Sequence, residues 1–255
     1  MSPPILTERR DGVLLITLNR PEARNAVNLA LAEGMAAALD ELDADPTLAV
    51  GVITGAGSGF CAGMDLKAFA AGEPRPWIAG RGFAGIVERP AATPLIAAVE
   101  GFAVAGGLEI ALSCDLLVAS RGAKLGVPEV KRSLVAVGGA LLRLPQRLPQ
   151  GIVAELALTG DPITAERGYE LGLVNRVAEP GQAVEVAMEL AAAMAANGPL
   201  ALTATKEILT KGRDWPIDEF FARQRPIADP VLASEDAREG AVAFAERRPP
   251  RWQGR

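Results

Sequence analysis

The sequence predicts an α/β fold, and three observations on the order of its apolar patterns favour that class. Two short apolar runs, at 12–19 and 48–55, are rich in strand-forming residues and flank a helical pattern, which gives the order strand, helix, strand. A third apolar run, 94–101, leads through a glycine-rich turn into a second helical pattern, and 115–120 resumes as a strand. Alternating strands and helices of this kind indicate helices layered on a sheet.

The first helical pattern, between the two opening strands, has its apolar side chains on one face. These side chains belong to Val27, Leu31, Met35, Leu39 and Leu42. We expect that face to pack against the sheet formed by the flanking strands.

The segment 70–92 interrupts these patterns with glycine and proline. It contains Gly72, Pro74, Pro76, Gly80, Gly82, Gly85 and Pro90. Such a composition predicts a loop, of the kind that forms a lid or a binding loop, rather than a core element. Helical patterns at 151–160, 164–172 and 182–196 then indicate that the last third of the chain is mainly helical.

Length and charge limit the classes of function that the chain can have. It has 255 residues and a mass of 26.5 kDa, enough for one α/β unit with an appended segment. The net charge of −5 and the lack of a long basic run argue against general nucleic-acid binding, while a local basic patch for a phosphorylated ligand stays open. With no apolar signal segment and no long uncharged apolar stretch, we expect a cytoplasmic protein without a membrane partner.

Histidine is absent from the sequence, and this narrows the chemistry further. Without it there is no Ser-His-Asp or Cys-His catalysis, no histidine general base and no histidine-ligated zinc. The two cysteines, Cys61 and Cys114, stand in apolar surroundings typical of reduced, buried thiols, and two are too few for a cysteine-rich metal site. We therefore expect no metal, and acid–base chemistry must use carboxylates, lysine, cysteine or the single tyrosine.

Glu109 lies within an apolar run, "GFAVAGGLEIALSCDLL" at 101–117. An ionised carboxylate in such surroundings costs several kcal/mol unless it is paired or hydrogen-bonded, and burial raises a carboxyl pKa toward neutrality. A glutamate with such a pKa can transfer protons, so we regard Glu109 as a candidate catalytic residue.

Two glycine clusters are candidates for backbone contacts with a ligand. The first, at 54–66, begins like a dinucleotide-binding fingerprint, but Phe60 stands where the third glycine would fall, which argues against nicotinamide or flavin binding. It is either an ordinary turn or a turn that leaves an amide N–H free for a ligand oxygen. The second cluster, Gly106 and Gly107, lies at the predicted start of a helix, where free N–H groups and the helix dipole favour developing negative charge.

A second candidate carboxylate, Glu129, follows Pro128 at a predicted turn. Taken alone, such a residue is usually a solvated loop carboxylate or a charge at a helix N-terminus. Its functional interpretation depends on the segments around it.

Six ordered segments together resemble the enoyl-CoA hydratase/isomerase family, the crotonases. Three are "FCAGMDL" at 60–66, "GFAVAGGLE" at 101–109 and "PE" at 128–129. The others are "NRPEARNAV" at 19–27, "ALTGDPITAERGYELGLVNRV" at 157–177 and "EGAVAFAERRPP" at 239–250. The resemblance implies a spiral of repeated ββα units, with a core domain at 1–195 and a C-terminal helical segment at 196–255 for trimerisation and active-site closure.

The resemblance also implies roles for individual residues. The backbone N–H groups of Met64 and Gly106 would hold the thioester carbonyl oxygen of a 2-enoyl-CoA. Glu109 would act as base toward a water that attacks Cβ, and Glu129 as the acid that protonates Cα, with both carboxylates holding the same water. The expected activity is hydration to 3-hydroxyacyl-CoA.

For coenzyme A the resemblance implies contacts from two segments and the tail. They involve Ala23 and Arg24, then Ala62, Asp65 and Leu66, and finally Arg247, which would reach the site of a neighbouring subunit. We expect no separate cofactor, because coenzyme A is part of the substrate, and we expect a homotrimer or a dimer of trimers.

Two departures and two alternatives remain open at this stage. Val137 stands at a position where well-known hydratases have glycine, so the substrate shape, or even the reaction, can differ. A third carboxylate, Glu100, precedes the second glycine cluster, and we interpret it as stabilising a turn rather than as catalytic. The alternatives to a hydratase are an isomerase or related dehydratase of the same family, and a non-catalytic acyl-CoA-binding protein.

Overall fold

The apolar runs of the sequence form the central sheet of the computed structural model, which describes residues 2–255. The strands are β1 (Ile5–Arg10), β2 (Val13–Leu18), β3 (Val50–Gly55), β4 (Trp77–Ile78), β5 (Gly82–Phe83), β6 (Leu95–Val99), β7 (Phe102–Val104), β8 (Leu116–Ser120), β9 (Lys124–Gly126), β10 (Ile163–Thr164) and β11 (Arg176–Ala178). The central sheet has the order β1-β2-β3-β6-β8-β11, and every neighbouring pair after β1–β2 is parallel. A second sheet has the order β10-β9-β7.

From β6 to β9, consecutive strands alternate between these two sheets. β6 pairs with β8 in the central sheet, while the strands that follow them, β7 and β9, pair with each other in the second sheet. A helix follows β7, so β6, β7 and that helix form a ββα unit. This is the repeating unit that the sequence leads us to expect.

The helices occupy both faces of the central sheet and the C-terminal region. They are α1 (Leu29–Ala44), α2 (Leu66–Ala70), α3 (Gly106–Leu112), α4 (Ala140–Arg143), α5 (Gln150–Thr159), α6 (Ala165–Glu170), α7 (Ala183–Ala195), α8 (Pro199–Lys211), α9 (Phe220–Leu232) and α10 (Glu235–Glu246). A 3-10 helix, Pro128–Arg132, lies between β9 and α4. The predicted helices at 151–160, 164–172 and 182–196 correspond to α5, α6 and α7.

The central strands are apolar along their whole length because both faces of the sheet are covered. On one face, Leu14 and Ile16 of β2 share a core with Leu31, Met35 and other apolar residues of α1. On the opposite face, Val13 packs with the small residues Ala183, Ala187 and Ala191 of α7. The sheet therefore forms the middle layer of the core.

The prediction that 70–92 forms a loop outside the core is wrong for the second half of the segment. Strands β4 and β5 form a short hairpin there, and residues 81–87 are buried. Arg81 forms an ion pair with Asp40 of α1, and a Cβ added to Gly85 would lie 2.4 Å from the carbonyl oxygen of Ala32. Here glycine allows the backbone to approach α1 closely, so its presence marks tight packing.

Several elements were not evident from the sequence pattern. The first strand, β1, has only Ile5 buried, so it has no apolar run, and β7 and β9 have three residues each. Val27, which we assign to the first helix, lies before α1 and forms an isolated bridge with Met64, although it is fully buried.

The C-terminal helices are attached to the core by a few polar contacts. Lys206 of α8 donates to the carbonyl oxygen of Thr93 at 2.9 Å and pairs with Asp115 at 2.8 Å, and the indole of Trp252 donates to the carbonyl of Ala196 at 2.8 Å. Within residues 2–255 no single helix has the length and apolar composition to cross a membrane. Only α7 and the segment 199–214 together, bent by 108°, meet those two criteria.

Candidate active site

A cavity of about 1100 Å³ lies where the segments that follow β2, β3 and β7 come together. In sheets with parallel strands, ligands bind outside the carboxyl ends of the strands, because the connecting segments diverge there. Residues 20–28, 62–69 and 104–106 contribute one part of its wall, and both candidate glutamates contribute another. The cavity thus contains residues from the segments 60–66, 101–109 and 128–129 of the sequence.

Two backbone amides of the cavity wall lie on loops that touch each other. The residues on either side of Met64 form backbone hydrogen bonds with Val27. The carbonyl of Gly63 accepts one from the amide of Val27 at 2.8 Å, and the amide of Asp65 donates one to the carbonyl of Val27 at 3.0 Å. Within residues 2–255, neither the N–H of Met64 nor that of Gly106 donates to a protein acceptor. A Cβ added to Gly63 would lie 3.0 Å from the nitrogen of Gly106, so the two loops are adjacent.

The backbone before Gly106 has an uncommon conformation. Ala105 has φ 52° and ψ −132°, a region that non-glycine residues rarely adopt. Its amide is held by a hydrogen bond to the carbonyl of Gly126 at 2.9 Å, and Phe83 packs directly behind Gly106. These contacts fix the turn from which α3 begins, with its free N–H groups at the cavity.

Glu109 is on the first turn of α3 and only 4% exposed. Its Oε1 accepts a hydrogen bond from the amide of Ala140 at 3.1 Å. Burial raises the pKa of Glu109, while the amides of Ala140 and Gly138 and the positive charge of Arg143 act in the opposite direction. The carboxylate is therefore buried and yet provided with donors that stabilise its charged form.

Glu129 is on the 3-10 helix, at the same cavity. Its Oε2 is buried and has no hydrogen-bond partner within residues 2–255. Burial raises the pKa of Glu129 to about 7, against a smaller lowering by its own backbone N–H, and the negative charge of Glu109 adds a still smaller increase. The two carboxyl groups thus interact electrostatically, and they differ in their hydrogen-bond partners.

The residues expected to contact coenzyme A lie at the cavity with one exception. Ala23, Arg24, Ala62, Asp65 and Leu66 all line it. The guanidinium of Arg24 stacks over the ring of Phe102 at 4.6 Å from its centroid. Asp65 is already engaged, because it pairs with Arg20 at 3.0 Å and accepts from the amides of Lys67 and Ala68 at the start of α2.

Two further residues lie away from this cavity wall. Arg247 is the residue that ends α10, with φ 54°, and it does not line the cavity of its own chain. Its expected contact with a neighbouring subunit stays a prediction. Glu100 accepts a hydrogen bond from the amide of Ala183 at the start of α7, at 2.9 Å, which agrees with a structural role for this third carboxylate.

Both cysteines have the surroundings that their sequence context predicts. Cys61 and Cys114 are fully buried and free, and burial raises the pKa of each thiol to about 12. Neither thiol is suited to nucleophilic chemistry at neutral pH.

Comparison with known proteins places this site in a family. A family model described as enoyl-CoA hydratase/isomerase matches residues 8–255. The chain is 42% identical to an enoyl-CoA hydratase of Mycobacterium tuberculosis over 99% of this chain and 97% of that protein. It is 41% identical to a carnitinyl-CoA dehydratase of Salmonella arizonae over 100% of both.

A solved structure gives the same result for the fold. The crystal structure of an enoyl-CoA hydratase from Mycobacterium marinum matches 100% of both chains with a TM-score of 0.97 and 58% identity. The chain belongs to the enoyl-CoA hydratase/isomerase family. The family, the crotonase fold and the enzymatic class predicted from the sequence are therefore confirmed, while the roles of individual residues stay predictions.

Sequence reasoning missed several residues of this crotonase site. Gly138, which is pressed against the carboxylate of Glu109, and Arg143, whose charge acts on that carboxylate, lie about thirty residues further along the chain. The GGA sequence at 138–140 was a usable signal, but we associated this region with Val137. In the structure Val137 lines the cavity and is 70% exposed, whereas Gly138 is the residue pressed against Glu109.

Proposed function

We propose that this crotonase-family enzyme adds water across the 2,3 double bond of 2-enoyl-CoA thioesters to give 3-hydroxyacyl-CoA. One observation carries the proposal: one cavity holds two carboxyl groups, of which one accepts a backbone hydrogen bond and the other has a buried oxygen without a partner. Glu109 has two amide donors and a nearby guanidinium, while Glu129 has a pKa of about 7 and a buried oxygen without a partner. A pair of this kind can take one proton and give another in the same reaction.

In the proposed mechanism, the thioester carbonyl oxygen accepts hydrogen bonds from the N–H groups of Met64 and Gly106. Addition of water to Cβ moves negative charge onto that oxygen, so donors fixed before the reaction stabilise the transition state more than the ground state. Two contacts already described keep these donors in place, namely the Val27 bridge beside Met64 and Phe83 behind Gly106.

Proton transfer is divided between the two glutamates. Glu109 accepts a proton from the water while the oxygen of that water bonds to Cβ. Glu129 then donates its proton to Cα of the resulting enolate. The product is the 3-hydroxyacyl thioester, and the two residues have exchanged protonation states. In the reverse dehydration Glu129 removes the proton from Cα and Glu109 protonates the leaving hydroxyl.

The wall beside the glutamates supports an apolar acyl group. Trp77 and Phe83, whose rings meet edge to face at 5.1 Å, line the cavity together with Leu134, Val135 and Val137. Apolar walls with a few placed polar groups are usual for such binding sites. We propose that Ala23, Arg24, Ala62, Asp65 and Leu66 hold the coenzyme A part.

We propose that the enzyme is a homotrimer or a dimer of trimers. The C-terminal segment carries large apolar side chains that are mostly exposed in the single chain: Leu209, Ile217, Phe221, Leu232 and Phe244. Large apolar side chains exposed along one segment favour an interface, and Arg247 would reach a neighbouring cavity from the same segment.

A second candidate is dehydration of a 3-hydroxyacyl-CoA, in line with the relative named carnitinyl-CoA dehydratase at 41% identity. Dehydration uses the same residues in the reverse direction. It therefore differs from hydration only in the physiological direction and in the acyl group of the substrate. Double-bond isomerisation is a third candidate and needs chiefly Glu129.

A crotonyl-CoA assay that follows the absorbance of the conjugated thioester tests the proposal. Hydration predicts that Glu109→Gln and Glu129→Gln each abolish turnover, while the matched control Glu100→Gln retains it. Turnover that survives Glu109→Gln but not Glu129→Gln would instead show isomerisation. Binding without turnover on a panel of short, long, branched and carnitinyl thioesters would refute catalysis altogether.

A further inference from the structure

Arg143, the last residue of α4, has a half-buried guanidinium that joins two segments of the active site. Its Nη2 donates to the carbonyl oxygen of Val87 at 2.5 Å, and its Nη1 lies 3.5 Å from the carbonyl oxygen of Gly138. A Cβ added to Gly139 would lie 2.1 Å from that Nη1, so the guanidinium is packed closely against the glycine turn. Burying this charge has a cost, and it lowers the pKa of Arg143.

Each of the two segments that Arg143 joins contacts a group of the proposed catalytic site. The turn 138–140 surrounds the carboxylate of Glu109, since Ala140 donates to its Oε1 and Gly138 is pressed against its Oε2. The segment 81–87 contains Phe83, which packs behind the amide turn at Gly106. One planar guanidinium therefore connects the surroundings of the base with the support of the proposed oxyanion site.

The charge of Arg143 also acts on Glu109. Burial raises the pKa of Glu109, and the guanidinium acts in the opposite direction because it favours the ionised carboxylate. The charge of Glu109 in turn raises the pKa of Glu129. Arg143 itself faces Glu109, Cys114 and, on the same side of the fold, Arg147.

We propose that Arg143 is a positioning residue for the base: it fixes the glycine turn around Glu109 and places a positive charge near that carboxylate. The role as base rests on the proposed hydration, whereas the contacts and the charge effect on Glu109 do not depend on the reaction.

The test compares Arg143→Gln and Arg143→Lys with a matched control, Arg147→Gln. Arg147 is also an arginine with a guanidinium held by carbonyl groups, those of Leu112 at 3.1 Å and Cys114 at 2.9 Å, but it does not contact the glycine turn. Hydration of crotonyl-CoA is measured from pH 4.5 to 9. Glu109 is titrated separately by carboxyl carbon NMR and assigned with Glu109→Gln.

We expect Arg143→Gln to lower kcat by roughly 10²-fold, because small displacements of a catalytic group have effects of that size, and to change KM much less. The acidic limb of the pH–rate profile of this variant and the NMR titration of Glu109 should both move upward by about one pH unit. Arg143→Lys should restore the pH dependence more than it restores kcat, since lysine keeps the charge without the planar donor pair. Arg147→Gln should lower only the thermal stability.

Two other outcomes separate the proposals. An unchanged titration of Glu109 in folded Arg143→Gln would overturn the inference about Arg143, whatever the activity. A wild-type protein that hydrates none of the thioesters would refute the proposed function. In that case a shifted titration would still establish the effect of Arg143 on Glu109.

Discussion

Gly138 is pressed against the carboxylate of Glu109: a Cβ added to Gly138 would lie 2.3 Å from Oε2 of Glu109 and 2.8 Å from its Cδ. No side-chain atom can occupy that space without moving the carboxylate. Glu109 is thus held from one side by the amide of Ala140 and limited on another by the backbone of a glycine. Its orientation is a property of the turn 138–140 as much as of α3.

The first prediction follows from this contact. Gly138→Ala should displace the carboxylate of Glu109 and lower kcat by roughly 10²-fold, because a misplacement of about 1 Å has an effect of that order. Hydration kinetics and a thermal melt check it. Gly151→Ala on α5 is the matched control, since an added Cβ meets nothing within 4 Å there, and it should leave kcat unchanged. Unchanged kcat in Gly138→Ala would contradict the positioning of the base by this turn.

The contact between Gly138 and Glu109 also shows how far the sequence predicts the site. Glu109 stood out because a carboxylate in an apolar run needs an explanation, and Gly106 because glycine before a helix leaves amides free. The glycines at 138–139 indicate a turn, but nothing in the local sequence connects that turn or Arg143 with Glu109. Their effect depends on how the chain returns from the 3-10 helix to α4, which is a tertiary relationship.

The same reasoning explains the error in the segment 70–92. Glycine and proline indicate that the backbone turns, but they do not indicate which residues pack against the turn. Gly85 permits contact with the backbone of α1, so residues 81–87 are buried. The central strands, by contrast, were predicted well because continuous apolar runs arise directly from a sheet covered on both faces.

The second prediction concerns the amides proposed to hold the thioester oxygen, which cannot be removed by a side-chain substitution. Gly63→Ala would place a Cβ 3.0 Å from the nitrogen of Gly106 and 2.9 Å from Cβ of Ala105, so it should obstruct the approach to that N–H. We expect kcat to fall roughly 10²- to 10³-fold, as for loss of one oxyanion donor.

Backbone strain at Gly63, which has φ 92°, needs a control of its own. Gly172 has φ 84° and an added Cβ would meet nothing within 4 Å, so Gly172→Ala imposes similar strain away from the site. Both variants should lose about 1 kcal/mol of folding free energy in denaturant unfolding. If Gly172→Ala lost activity to the same extent, strain rather than obstruction would explain the effect.

The third prediction is the pH dependence of hydration. The reaction needs Glu109 ionised and Glu129 protonated, so kcat/KM should be bell-shaped and should fall on the alkaline side with an apparent pKa near 7, the pKa of Glu129. Steady-state rates from pH 4.5 to 9 check it. The reverse dehydration uses the other singly protonated form of the same pair, so its kcat/KM should fall on the alkaline side in parallel with that of hydration. A hydration rate that is constant from pH 6 to 9 would exclude Glu129 as the acid.

The fourth prediction concerns the effect of Glu129 on the free energy of unfolding. The folded protein raises the pKa of Glu129 from 4.5 to about 7, so between these values the native state binds more protons than the unfolded state, and stability falls as pH rises. The cost is at most about 3 kcal/mol, and partial exposure of Glu129 reduces it to about 1 to 2 kcal/mol.

Glu129→Gln, neutral at every pH, should therefore be more stable than wild type at pH 8 by that amount and gain nothing at pH 4.5, as measured by urea unfolding. The exposed Glu33→Gln on α1 should change stability by less than about 0.5 kcal/mol at either pH. Equal stability of Glu129→Gln and wild type at pH 8 would mean that the carboxyl is solvated and that its acid role must be abandoned.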